Sequence, residues 1–140
     1  VRLYAMSQDG VFFQPVCIPD EVLQSMPFLE GYVPVFEDNE PMRYKNAARI
    51  NEFLKLAKRA LPEEVQNWRA INVSEIDSLT LPLITVSRID GGTIIFAPKE
   101  LEKQLDRLEY ILRYAKEKPL NKIERIDLSL KERADVKIAD

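Results

Sequence analysis

The spacing of apolar and polar residues changes several times along the chain, and each change marks an element. Val1, Leu3 and Ala5 alternate with Arg2, Tyr4 and Met6, and Val11-Phe12-Phe13 resumes an extended run after Ser7-Gln8-Asp9-Gly10. Asp-Gly supplies the positive-φ positions of a tight turn, so a hairpin is predicted. From Pro15 to Pro41 five prolines (15, 19, 27, 34 and 41) argue against long regular structure. Met26, Phe28, Leu29, Tyr32, Val33, Val35 and Phe36 nevertheless require that segment to lie against the body of the domain.

A first long helix is predicted from about Met42 to Leu61, with Ala47, Ile50, Leu54, Ala57 and Leu61 on one stripe and Arg43, Lys45, Arg49, Lys55, Lys58 and Arg59 opposite. Pro62 opens a short second piece, with Glu63 and Glu64 suiting its first turn and Trp68 closing it. Ile71, Val73 and Ile76 then read as a strand. Leu83 to Ile89 and Thr93 to Phe96 flank Asp90-Gly91-Gly92 as a second hairpin. A second long helix is predicted from Pro98 to Lys116 on the stripe Leu101, Leu105, Leu108, Leu112 and Ala115, ended by Pro119. Ile126, Leu128 and Leu130 alternate with Arg125, Asp127 and Ser129, and Val136 and Ile138 mark a last strand. The expectation is an α+β domain: a mainly antiparallel sheet packed by two long amphipathic helices. Residues Ile50, Leu54, Leu61, Leu105, Leu108 and Leu112 would face Val86, Ile95, Ile126 and Leu128, with the C-terminal strand at or near a sheet edge.

Composition narrows the chemistry. The chain of 140 residues is one domain's worth, 46% apolar and 31% charged. Twenty basic against 23 acidic residues (net −3) do not suit a phosphate-backbone binder, so no nucleic-acid partner is expected. Histidine is absent, which removes Ser-His-Asp and Cys-His catalysis and His-ligated zinc. Cys17 is the single cysteine and reads as a buried, inert thiol. The acidic clusters Glu37/Asp38/Glu40, Glu63/Glu64 and Glu100/Glu102 read as loop charge and helix-dipole complement rather than paired catalytic carboxylates. Asp127 shares the solvent face of its strand with Arg125 and Ser129. No catalytic, metal or cofactor residue is assigned. A binding module is the first reading; a small-molecule-sensing or carboxylate-dependent hydrolase domain is the alternative.

Read in order, five pieces resemble something specific: Asp9-Gly10-Val11-Phe12-Phe13; Met26-Pro27-Phe28-Leu29-Glu30-Gly31; the helix from Ala47 to Leu61; a strand ending in Asp90-Gly91 before a helix with Lys103-Gln104-Leu105-Asp106-Arg107-Leu108; and Ile126-Asp127-Leu128 with a strand behind it. The order resembles the extracytoplasmic β domain of the bacterial cell-division protein family FtsQ/DivIB, over residues 1–140. The resemblance implies a POTRA domain and a single membrane helix upstream, a place on the periplasmic face of the inner membrane, and no enzymatic activity. It also implies binding of FtsB/FtsL-type division proteins during septum formation, by strand addition beside the last strand. That surface maps onto Leu130, Glu132, Ala134, Val136, Lys137 and Ile138. The charges Asp135 and Lys137 are expected to guard such an edge against self-pairing.

Overall fold

Alternation and turn chemistry place the hairpins where the sequence has them. In the computed structural model, which describes residues 4–33, 43–117, 122–130 and 133–139, β1 (Ala5–Met6) and β2 (Phe12–Phe13) pair antiparallel. Gly10 turns the chain at φ 83°, and its carbonyl accepts the Tyr44 N–H at 3.0 Å. A Cβ there would stand 2.7 Å from both Ala47 Cβ and Tyr44 O, so only glycine lets the hairpin dock on the start of the next helix. Val1 to Leu3, the apolar residues Val35 and Phe36, the Met42 helix start, Pro119 and Glu132 lie outside the described residues.

The Pro-rich stretch holds two short elements, α1 (Asp20–Gln24) and β3 (Phe28–Glu30). Cys17 is exposed rather than buried. It lies on a surface turn between Pro15 and Pro19, beside Val16 at 83% exposure, where no regular element can carry it inward. The first long helix is α2 (Ala47–Ala60), buried through Ala47, Ile50, Phe53 and Ala57. Phe53 takes the central core place, and Leu54 and Leu61 only border it. Pro62 cannot donate to α2 and instead starts α3 (Pro62–Val65). Trp68 does not close α3; it opens β4 (Trp68–Asn72), stacks on Phe53 with ring centroids 5.6 Å apart and is 2% exposed.

β5 (Ile84–Arg88) and β6 (Thr93–Phe96) form the expected hairpin, with Gly91 at φ 97° and the Gly92 N–H donating to Asp90 Oδ1 at 3.1 Å. The second long helix, α4 (Leu101–Glu117), begins three residues beyond Pro98: Glu100, at φ 52°, cannot continue a right-handed helix, and Gln104 folds back on the preceding turn. Its buried carboxamide accepts the Ala97 N–H at 2.8 Å and donates to the Ala97 and Lys99 carbonyls at 2.9 and 2.6 Å. Leu105 and Leu108 are its buried apolar residues. β7 (Lys122–Asp127) and β8 (Asp135–Ala139) close the chain as an antiparallel pair.

The fold is α+β, with one six-stranded sheet in the order β3-β4-β5-β6-β7-β8. It is mixed rather than mainly antiparallel, since β3/β4 and β6/β7 are parallel. The reason is geometric: parallel neighbours need a crossover, and α2 with α3 and then α4 provide two. Both crossovers leave strands that point the same way and step sideways in the same sense, so a common right hand puts α2 and α4 on one face. There they contact each other over the core.

Register decides which side chains meet them. Leu29, Ile71, Val86, Ile94, Ile126 and Val136 line up across all six strands on the helix side. The opposite face carries Glu30, Asn72, Thr85, Ile95, Asp127 and Asp135 in the next row. Ile95 is therefore not a core wall residue; its neighbour Ile94, 0% exposed, is. Leu108→Ala and Ile94→Ala should each cost about 2–5 kcal/mol, and Ile95→Ala about 1 kcal/mol or less. Urea denaturation of the three variants measures this, and a larger loss for Ile95 than for Ile94 would reverse the faces.

Candidate functional site

Of the residues mapped onto a partner edge, Val136, Lys137 and Ile138 lie on β8, Ala134 directly precedes it, and Leu130 lies three residues past β7. β8 ends the sheet order, with β7 as its one hydrogen-bonded neighbour, and its outer backbone groups have no strand partner among the described residues. Val136 and Ile138 lie opposite Ile126 and Ile123 on the helix side and remain 41% and 48% exposed. Asp135 and Lys137 lie opposite Asp127 and Arg125 on the other face. Lys137 Nζ is 3.5 Å from Glu124, an exposed contact of little energetic weight. Ala134 packs against the core margin. The Leu130 carbonyl accepts Arg107 Nη1 at 3.2 Å, which ties the β7–β8 connection to α4. Glu132 lies outside the described residues.

Beside this strand runs an open, mainly apolar groove of about 410 Å³ between α4 and β8, lined by Asp106, Arg107, Tyr110, Ile111, Ala134 and Val136. The leucine stripe of α4 points to core packing and gives no sign of Tyr110 or Ile111 as groove residues. The signal is one of register: Ile111 stands next to the stripe, and Tyr110, 72% exposed, lies beyond it. A smaller cavity of about 160 Å³ lies at the start of α4, among Lys99, Glu100, Lys103, Gln104, Arg107 and Ser129. Among the described residues each of the two is lined by one carboxylate, Asp106 or Glu100, and no pair of acids faces a common point.

Asp127 accepts the Ser129 N–H and hydroxyl at 2.9 and 2.6 Å, and so terminates β7. Asp77 accepts Asn46 Nδ2 at 2.8 Å and lies 3.4 Å from both Lys45 and Arg49. The Asn46 bond first, with the two cations, holds its carboxyl below the usual range. It fastens the β4–β5 loop to the start of α2.

Glu64 departs from its expected role as dipole complement. It is buried, and Arg88 grips it with Nε at 2.6 Å and Nη2 at 3.2 Å. Arg88 Nη1 also reaches Asp90 at 3.1 Å. This network pins α3 to the β5–β6 hairpin, and its partners are far apart in sequence. Burial raises the Glu64 carboxyl above its usual range, against the opposing pull of Arg88.

No family model and no curated protein matches the chain. None of the helices among the described residues is long and apolar enough to cross a membrane. The class defined by the structure itself is an α+β domain with one helix-covered sheet face and an open terminal strand flanked by an apolar groove.

The ion pair yields a pH prediction with a definite sign. A carboxyl raised in the folded state binds its proton more readily there than in the unfolded chain. Its contribution is fully present below the ordinary glutamate range and is lost as pH rises through the raised value. Glu64→Gln should flatten that part of the stability–pH curve. Arg88→Met, which leaves Glu64 buried without its partner, should cost about 3 kcal/mol at neutral pH and recover part of that loss on acidification. Urea midpoints measured from acid to neutral pH test both; an Arg88→Met loss unchanged by pH would contradict them.

Proposed function

We propose that this chain is a non-catalytic interaction domain of the FtsQ/DivIB kind, working on the periplasmic face of the bacterial inner membrane. In this reading β8 accepts an extended segment from an FtsB/FtsL-type division protein during septum formation. The observation that carries the proposal is the open edge of β8, whose helix-side residues Val136 and Ile138 stay half exposed beside the α4 groove. Backbone ladder bonds to an added strand supply affinity without regard to sequence, and alternate side chains supply selectivity. The added strand would present apolar residues toward Tyr110, Val136 and Ile138, and polar ones toward Asp135 and Lys137. The order of the elements, two crossover helices around a central hairpin and a terminal strand pair, supports the same reading.

The test is the double variant Lys137→Glu with Ile138→Glu. Both side chains are exposed, so the melting temperature should stay close to that of the unaltered chain. Titration calorimetry with a purified FtsB/FtsL-type pair should lose its binding signal. Unaltered binding by the double variant would remove β8 as the partner edge.

A further inference from the structure

We infer that β8 is also self-complementary: two copies of this chain associate through antiparallel pairing of their β8 strands, centred on Val136, to form one continuous sheet. The inference rests on the charge pattern of the edge and does not depend on the division-partner reading. Asp135 stands opposite Asp127 across β7/β8, and like charges directly opposite each other in a sheet are unfavourable. Among the described residues no cation pairs with Asp135. Lys137, two positions along on the same face, makes only the exposed contact with Glu124.

A two-fold axis perpendicular to the sheet keeps each face with itself, so paired positions must have equal parity. With the axis at Val136, Val136 meets its own copy, Ala134 meets Ile138, and Asp135 meets Lys137 twice. Opposite charges then face each other on the open side, and only apolar residues meet on the helix side, extending the α4–β8 groove across the junction. Equal parity also brings outward-pointing N–H and C=O groups to outward-pointing ones. Moving the axis by one residue sets Asp135 against Asp135 or Lys137 against Lys137 in the nearest face-preserving registers. The two charges therefore do not guard β8 against every self-pairing, as the sequence alone suggests; within the strand they favour the register centred on Val136 over its two neighbours. A five-residue strand pair is far smaller than a standard interface of roughly 1,600 Å², so the association should be weak, with Kd on the order of 10⁻⁴ M. A strand partner at β8 competes with the second copy.

Sedimentation velocity of the chain alone, over a concentration series spanning that Kd, tests the inference. The unaltered chain should shift from monomer to dimer. Asp135→Lys and Lys137→Asp should each remain monomeric, because each sets like charges against each other twice. An equimolar mixture of the two should dimerise again, as should the double exchange, because both restore opposite charges in the same register. Thermal melts should show all variants folded, since both positions are exposed. An unaltered chain that stays monomeric throughout, single variants that associate as it does, or a mixture that fails to associate would overturn the inference. Loss of FtsB/FtsL-type binding bears only on the proposed function, because no partner enters this experiment.

Discussion

One row of side chains sets the shape of this domain: Leu29, Ile71, Val86, Ile94, Ile126 and Val136, one from each strand of the large sheet. Ile71, Val86, Ile94 and Ile126 are at most 2% exposed, whereas Val136, at the end of the row, is 41% exposed. The helix cover stops before the sheet does. Two helices packed side by side cover about 20 Å, while six strands at about 4.8 Å spacing extend about 24 Å between their outer axes. Something must stand outside the cover. At the β3 end the deficit is made up by the N-terminal hairpin, whose Phe12 stacks on Tyr32 at 5.0 Å, with Tyr44 behind. No described element does the same at the β8 end. An open apolar edge is thus a consequence of layer geometry before it is a feature of any partner.

The two ends of the domain are fastened by different chemistry. Around the β5–β6 turn, Arg88 bridges the buried Glu64 to Asp90 and fixes α3 against the sheet. At the start of α2, Asp77 gathers Asn46, Lys45 and Arg49 in a solvated cluster, while Gly10 lets the hairpin approach closely. A buried pair leaves an uncompensated charge when one partner is lost, whereas an exposed cluster rearranges at small cost. The Glu64–Arg88 contact is accordingly the polar interaction on which the relative placement of α3 and the central hairpin depends most. Gln104 has a comparable local role at α4, where its carboxamide satisfies three backbone groups of the connection from β6.

Much of the fold was legible in the sequence wherever a period ran long enough to declare itself. The 3.6-residue stripes identified α2 and α4, and Asp-Gly marked both tight hairpins. Where the pattern was short or degenerate, it misled. β3 has three residues behind Pro27 and no visible alternation, and without it the first parallel crossover could not be foreseen. Thr93-Ile94-Ile95-Phe96 carries isoleucine on both faces, so only pairing to Ile126 tells Ile94 from Ile95. Trp68 fits a helix end or a strand equally well by its neighbours in sequence, and a partner 15 residues away, Phe53, decides its place. The Glu64–Arg88 pair left no local trace, since 24 residues separate its members. At the candidate edge the strand itself was readable from Val136 and Ile138. The groove beside it was not, because it depends on how far α4 reaches over β8.

The same geometry lets the two proposed associations share one strand. An edge offers backbone groups to any extended chain, and this is usually a liability that proteins counter with charge. Charge counters pairing only when it meets its own sign. On β8 the two opposite charges lie two positions apart on one face, so a two-fold axis midway between them turns repulsion into attraction. Selectivity for a foreign strand then has to come from the other face, where Val136, Ile138 and the α4 groove reward apolar side chains of the right spacing. A partner that fills the groove and pairs with the ladder gains more than the short symmetric pairing can, and displaces it. With a Kd on the order of 10⁻⁴ M the proposed self-pairing covers the edge only where copies are crowded to that concentration, and elsewhere leaves β8 open to a better-fitting strand.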